Sequence, residues 1–271
     1  MSEQIAYPQR LIIVTDLDGS LLDSRTYSFE KAGSALERIR EQHIPLILCS
    51  SKTRSEIEMY RQRLNINHLF IAENGGGIYI PDGYFPFPIE GERRNGYQVI
   101  SLGISYSEIR RRFISLRDRL NIAVRGFGDM NSSDVMALTG LPNREASLSL
   151  LREYDEPFVF SGAPDDRFLQ AIEADGLSWT QGRIFHIMGN HHKGKAVSIL
   201  RGLYERAYNA VTLIGLGDSL NDLPLLLAVD RPVLIRKDDG NYDPRINIPN
   251  IYRTNGIGPA GWNEAVLREL S

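Results

Sequence analysis

The chain has 271 residues, of which 42% are hydrophobic and 24% charged, the ordinary composition of a globular protein that buries a core. At roughly 150 residues per domain this length predicts about two domains, and the composition excludes general disorder, which needs low hydrophobicity with high net charge. A formal net charge of −3 gives no reason to expect nucleic acid or an anionic membrane as partner, and a single cysteine, Cys49, excludes an intramolecular disulfide framework or a Cys-rich zinc site.

The opening stretch MSEQIAYPQR has no apolar segment behind a basic one, so no signal peptide is expected. No apolar run approaches the ~18–20 residues that span a bilayer, and a cytoplasmic location is expected. Leu11 to Val14 is continuous and apolar, as in a strand covered on both faces; it ends in Asp16-Leu17-Asp18-Gly19-Ser20. A helical pattern over Ser28–Glu41 leads to a second buried strand, Pro45–Cys49, closed by Ser50-Ser51-Lys52-Thr53. Another helix is expected over Arg54–Leu64, then a strand at His68–Ala72 ending in Glu73-Asn74-Gly75-Gly76-Gly77, where positive φ angles are expected.

The grammar changes near Tyr84. A strand is expected near Tyr97–Leu102, a basic helix over Ser105–Leu120 and a strand at Ile122–Arg125. Helices near Ser132–Leu138 and Asn143–Arg152 follow, with Gly140 placed to terminate the first. Strands at Pro157–Phe160 and Leu177–Met188 bracket a helix from Asp165. The first grammar returns with a helix over Lys193–Tyr208 and the strand Val211–Ile214, which ends in Gly215-Leu216-Gly217-Asp218-Ser219. A helix near Asn221–Ala228 and a strand at Pro232–Ile235 complete it. This order predicts an α/β protein: a doubly wound parallel sheet built from residues 1–83 and 189–271, with an inserted α+β domain at 84–188.

Ligands of open parallel sheets bind beyond the carboxyl ends of the strands. Four expected strands end there in polar sequence: Asp16/Asp18, Ser50/Ser51, Glu73/Asn74 and Asp218/Asn221/Asp222. Carboxylates converging from remote segments repel unless a cation joins them, and an oxygen-only donor set favours Mg²⁺ over zinc. Asp16-Leu17-Asp18-Gly19 taken alone is equally a turn. A calcium loop needs Gly at its sixth position, where Leu21 stands.

Asp16-Leu17-Asp18-Gly19-Ser20-Leu21-Leu22, Ser50, Lys193 and Gly217-Asp218-Ser219-Leu220-Asn221-Asp222 resemble, in order, the four motifs of the haloacid dehalogenase-like phosphohydrolases. The long insert between the second and third motifs is similar to the cap of the Cof-type sugar phosphatases. Within these, Leu48-Cys49-Ser50-Ser51-Lys52-Thr53-Arg54, Gly126-Phe127-Gly128-Asp129-Met130, Leu138–Pro142, Arg152–Phe158 and Gly258–Trp262 resemble the mannosyl-3-phosphoglycerate phosphatase family. The resemblance implies that Asp16 is the nucleophile of an aspartyl-phosphate mechanism and that Asp18 is the general acid and base. It implies Mg²⁺ held by Asp16, the Asp18 backbone carbonyl and Asp218, with Asp222 close by or acting through water. Lys193 adds a positive charge, and Ser50 with backbone N–H groups binds the phosphoryl oxygens. Asn221 orients the metal loop or the substrate, and Ser51 and Asn74 are further candidate substrate contacts. The implied substrate is a phosphorylated sugar-glycerate, 2-O-mannosyl-3-phosphoglycerate, with the glucosyl analogue or a broader sugar phosphate as alternatives.

From the insert, Arg125, Asp129, Arg152, Arg183 and His186 are candidate contacts to a sugar and a carboxylate, and at least one cap Arg is expected to bind the carboxylate. The main competitor is a P-loop, because Gly189-Asn190-His191-His192-Lys193-Gly194-Lys195-Ala196 fits G-x-x-x-x-G-K. It lacks the final hydroxyl, since Ala196 stands there, and it leaves Asp16 and Asp18 without a role. Arg110-Arg111-Arg112 reads as a solvated helix face, so neither nucleic acid nor membrane is an expected partner.

Overall fold

The computed structural model describes residues 10–271. Residues 1–9, most of the stretch read above for a signal peptide, lie outside the described residues. The first part of the chain forms β1 (Arg10–Thr15), α1 (Gly33–Glu41), β2 (Leu46–Leu48), α2 (Arg54–Leu64), β3 (Phe70–Ala72) and β4 (Gly77–Pro81). The middle forms β5 (Glu92–Arg94), β6 (Tyr97–Ser101), α3 (Tyr106–Leu120), β7 (Val124–Gly126), α4 (Ser132–Thr139), α5 (Asn143–Ser149), β8 (Asp155–Phe160), α6 (Asp166–Ala174), β9 (Ser178–Gln181) and β10 (Phe185–Met188). The last part forms α7 (Lys193–Tyr208), β11 (Val211–Gly217), α8 (Leu223–Leu227), β12 (Arg231–Arg236), β13 (Tyr252–Ile257) and α9 (Gly258–Glu269).

The main sheet is parallel, in the order β13-β12-β11-β1-β2. Strand order reverses between β1 and β11, and a doubly wound sheet opens a crevice at such a point. Successive side chains of a strand face opposite ways, and β1 obeys this: Ile13 packs with α1, α2 and α9, whereas Ile12 and Val14 pack with α7 and α8. Both faces are covered, which is why the strands read as unbroken apolar runs. The C-terminal α9 is tied to the head of β1, because the Trp262 indole donates to the Thr15 hydroxyl at 2.9 Å and that hydroxyl donates to the Asp16 carbonyl at 2.7 Å.

The insert carries an antiparallel sheet, β7-β8-β10-β9, whose apolar face packs against α3 and α6 through Phe113, Phe158 and Phe168. The sequence reading expected one strand over Leu177–Met188. Gly182-Arg183-Ile184 instead turns the chain, and β9 and β10 pair antiparallel. A third sheet, β3-β4-β6-β5, takes two strands from the first part of the chain and two from the middle. The expected strand at Tyr97 thus hydrogen-bonds to β4, on the near side of the residue-83 boundary, and a single parallel bridge from Cys49 to Ile71 links this sheet to the main one.

A buried ionic cluster fastens the start of β8 to the loop after β3. Glu73 and Asn74 adopt left-handed φ values of 49° and 56°, a conformation that costs non-glycine residues about 1–3 kcal/mol each and persists only where surroundings enforce it. The enforcement is visible. The Glu73 carboxylate accepts the backbone N–H groups of Glu153, Tyr154 and Asp155. Asn74 donates to Asp155 Oδ2 at 3.0 Å. The Arg152 guanidinium pairs with Asp155, lies 3.6 Å from Glu73 and donates to the Ser51 carbonyl at 2.9 Å. Burial alone would push the Asp155 carboxyl up, but Arg152, and then His186, hold it well below the ordinary carboxylate range.

Removing one member strands the other as a buried charge, at about 3–5 kcal/mol. Asp155→Ala should therefore lose stability of that order in urea unfolding at pH 7. Because the native pKa is depressed, this contribution is complete above the unfolded value of about 3.9 and disappears as pH falls towards the native value. A variant within about 1 kcal/mol of the parent at pH 7 would show that the cluster does not clamp the insert.

Candidate active site

The crevice between β1 and β11 sets the site. Thr15 is paired with Leu216 and Asp16 donates its N–H to the Leu216 carbonyl at 2.9 Å, so Asp16 and Asp218 leave adjacent strands at the same level. Gly19, at φ +78°, lets the first loop approach the second: a Cβ there would stand 2.9 Å from Asp218 Oδ2. Asp16, Asp218 and Asp222 each bring a carboxylate oxygen within 4.8 Å of one another, and all three are buried. The first residue of α7, Lys193, is fully buried and donates to Asp16 Oδ1 at 2.5 Å and Asp222 Oδ1 at 2.6 Å.

The remaining oxygens are allocated unevenly. Asp222 Oδ2 accepts the N–H groups of Asp218 and Ser219 at 3.0 and 3.1 Å, so this carboxylate is spent on Lys193 and on shaping its own loop. Asp218 Oδ2 accepts only the Ser219 hydroxyl, at 2.9 Å. Three carboxylates against one ammonium leave excess negative charge in a buried place. Burial, followed by repulsion from Asp222, pushes Asp16 well up and Asp218 to about 7. Burial opposes the charge on Lys193, but Asp16 and Asp222 more than offset this and hold it protonated. An all-oxygen donor set short of positive charge fits a hard divalent cation, so the residues present suit a metal ion.

Beside this cluster lies a cavity of about 440 Å³. Of the residues selected from sequence, Asp16, Asp18, Ser51, Asp218 and Asn221 line it from the main-sheet side, and Arg152, Arg183 and His186 from the insert. Ser50 is buried, its hydroxyl accepting the Lys52 N–H at 3.3 Å. Asn74 is buried and accepts from Asn221 at 3.2 Å, which connects the Asp155 cluster to the loop carrying Asp218 and Asp222.

Two of the residues selected from the insert are not brought to the cavity. Arg125 is exposed and pairs with Asp134 at 3.3 Å, and Asp129 is held by Arg110 and Arg117. Two others reach it already engaged: Arg152 in the cluster above, and His186 through Nδ1 at 3.0 Å from Asp155 Oδ2. Of the two insert arginines that line the cavity, Arg183 has no carboxylate partner among the described residues; it donates to the Tyr27 hydroxyl at 2.9 Å. The arginine run is neutralised locally, Arg110 by Glu156, Arg111 by Glu108 and Arg112 by Asp175.

Sequence reasoning missed Lys52, Tyr27 and Lys237 as cavity residues. Their signals are contacts between distant segments, which no local pattern reports. The P-loop reading is not supported, because the lysine in its GK position, Lys195, is exposed, while Lys193 turns inward and His192 caps α7 by accepting the Lys195 N–H. Among the described residues no helix is long and apolar enough to cross a membrane.

Residues 13–85 match the family model of the haloacid dehalogenase-like hydrolases. The chain is 46% identical to the glucosyl-3-phosphoglycerate/mannosyl-3-phosphoglycerate phosphatase of Methanococcoides burtonii, over 94% of this chain and 96% of that protein. It is 33% identical to the mannosyl-3-phosphoglycerate phosphatase of Pyrococcus horikoshii, over 83% and 90%. In fold it is similar to the crystal structure of Thermoplasma acidophilum 0175, with a TM-score of 0.70, 19% identity, and 97% and 99% of the two chains covered. Identity at these levels, over most of the length of each chain, places the protein: it belongs to the haloacid dehalogenase-like hydrolase family.

Proposed function

We propose that the protein is a Mg²⁺-dependent phosphatase that hydrolyses glycosyl-3-phosphoglycerates, mannosyl and glucosyl alike, to the glycosylglycerate and inorganic phosphate. The observation that carries this reading is the convergence of Asp16, Asp218 and Asp222 on Lys193 beside a cavity. The names of the relatives, one of which covers both sugars, support the substrate class. Asp16 and Asp218 would hold the ion through carboxylate oxygens, together with the Asp18 backbone carbonyl; bound there, a divalent cation offsets repulsion between an anionic nucleophile and an anionic phosphate. Asp222, with both oxygens engaged, acts by shaping the loop.

The chain's own groups divide the chemistry in two steps. Lys193 occupies Asp16 Oδ1, so Oδ2 is the oxygen that attacks phosphorus. As the new O–P bond forms, the ester P–O bond breaks and its electron pair goes to the departing glycerate oxygen, which takes a proton from Asp18. Asp18 then removes a proton from water, the water oxygen attacks the aspartyl phosphate, and the Asp16 carboxylate leaves. Ser50, Ser51 and neighbouring backbone N–H groups bind the phosphoryl oxygens, where transition-state charge accumulates. Asn221, steadied by Asn74, keeps the second acidic loop in register, and Arg183 and His186 face the substrate from the insert.

We assign residues 1–83 and 189–271 to the catalytic core and 84–188 to a cap, with the sheet β3-β4-β6-β5 as their joint. A cap closed over the cavity excludes bulk water during reaction. The single, reduced cysteine, Cys49, suits work in a reducing compartment such as the cytoplasm.

Phosphate release from glucosyl- and mannosyl-3-phosphoglycerate tests these assignments. Asp16→Asn should reduce turnover by more than about 10³-fold with an unaltered far-UV circular dichroism spectrum; near-parental activity would remove the nucleophile assignment. Asp218→Ala should abolish activity or raise the Mg²⁺ concentration at half-maximal rate by about tenfold or more. An unchanged magnesium titration would exclude Asp218 as a ligand.

A further inference from the structure

The glycosyl-phosphoglycerate substrate proposed above carries a second anion, and the inference below rests on that reading. Its carboxylate is attached two carbon atoms from the oxygen that leaves phosphorus, so it must sit next to the group that protonates this oxygen, Asp18. The cation found there is Lys52. Its Nζ lies 2.9 Å from Asp18 Oδ2, and the residue lines the cavity although it is only 4% exposed.

We propose that Lys52 is the carboxylate anchor, the residue by which the enzyme selects phosphoglycerate esters over phosphate esters that lack the second anion. The surroundings build it for this. Glu56 approaches Nζ at 3.5 Å and is itself pinned, with its other oxygen accepting the Thr53 N–H at 2.9 Å in the capping box of α2. The ring of Tyr27 faces the ammonium at 5.2 Å and that of Tyr60 at 5.6 Å, and aromatic faces favour a cation. Asp18 and Glu56 account for two of the three N–H donors a lysine carries, and the third is left for an incoming carboxylate oxygen.

The other cavity cations serve less well. Arg152 is clasped by Asp155, Arg25 lies at the surface beside Asp238, and Lys237 pairs with Asp243. Arg183 is not engaged by a carboxylate, but its contacts are the Tyr27 hydroxyl and the Ser24 carbonyl; neither is the group at the leaving oxygen. The anchor therefore comes from the second motif of the core, where the sequence reading expected a cap arginine.

A minimal pair of substrates tests this: glucosyl-3-phosphoglycerate, and glucosylglycerol 3-phosphate, in which CH₂OH replaces the carboxylate. Both leave as alkoxides and make the same demand on Asp18. With the full-length protein saturated in Mg²⁺, the parent should favour the carboxylate ester in kcat/KM. Lys52→Met should shrink that preference by roughly 10- to 100-fold, the worth of a charged hydrogen bond, mainly through KM. Lys52→Arg should restore most of it, and Arg183→Met should shrink it less than Lys52→Met does. Equal losses on both esters in Lys52→Met, a larger loss of preference in Arg183→Met, or no preference in the parent would each overturn the anchor. A parent that hydrolyses the glycerol ester but not the phosphoglycerate would overturn the substrate reading itself.

Discussion

One ammonium group holds this site together. Lys193 Nζ lies within hydrogen-bonding reach of carboxylates from two segments at opposite ends of the chain, Asp16 after β1 and Asp222 after β11. A buried carboxylate that lacks a partner is expensive, and three in contact would drive the loops apart. Lys193 stabilises the approach without neutralising it, because one positive charge faces three acids. On the reading proposed above, this surplus negative charge is what calls for a divalent cation, which would in turn let an anionic nucleophile meet an anionic ester. The fold places its strand-order reversal between β1 and β11, so backbone pairing alone brings the two acidic loops to one level.

The insert is fastened by a different set of charges. Glu73, Asn74, Arg152, Asp155 and His186 form a satisfied network in which each buried acid meets a base or backbone N–H groups. It reaches the acidic loop through the contact between Asn74 and Asn221. The cap wall of the cavity and the floor that carries Asp218 are thus joined by hydrogen-bonded side chains, and a change at Asp155 has a physical route to both. Conformational strain at Glu73 and Asn74 is the cost of running that network through a tight turn.

Much of this was legible in the sequence, for identifiable reasons. Buried parallel strands show as unbroken apolar runs, and α2 and α7 span the residues expected of them. The acidic loops were legible because carboxylates follow strand ends. Other elements left no such mark. β5 and β13 are polar edge strands without an apolar run, paired only with their sequence neighbours β6 and β12, and β9 and β10 read as one run because Gly182 and Arg183 interrupt it only briefly. Arg125 and Asp129 looked like ligand contacts because charge in a cap suggests recognition, yet Asp134, Arg110 and Arg117 satisfy them. Lys52 stood within the second motif, but its pairing with Asp18 depends on how two loops meet, and sequence spacing is silent on that.

The account depends most on the phosphoryl group passing through Asp16. Acid quenching during steady-state turnover of glucosyl-3-phosphoglycerate, borohydride reduction, and peptide mass spectrometry would test it directly, since reduction of an aspartyl phosphate gives homoserine. The account predicts homoserine at Asp16 alone, formed only when substrate and Mg²⁺ are both present. Reduction at a different carboxylate, or none under conditions where a known aspartyl-phosphate enzyme is trapped, would contradict it.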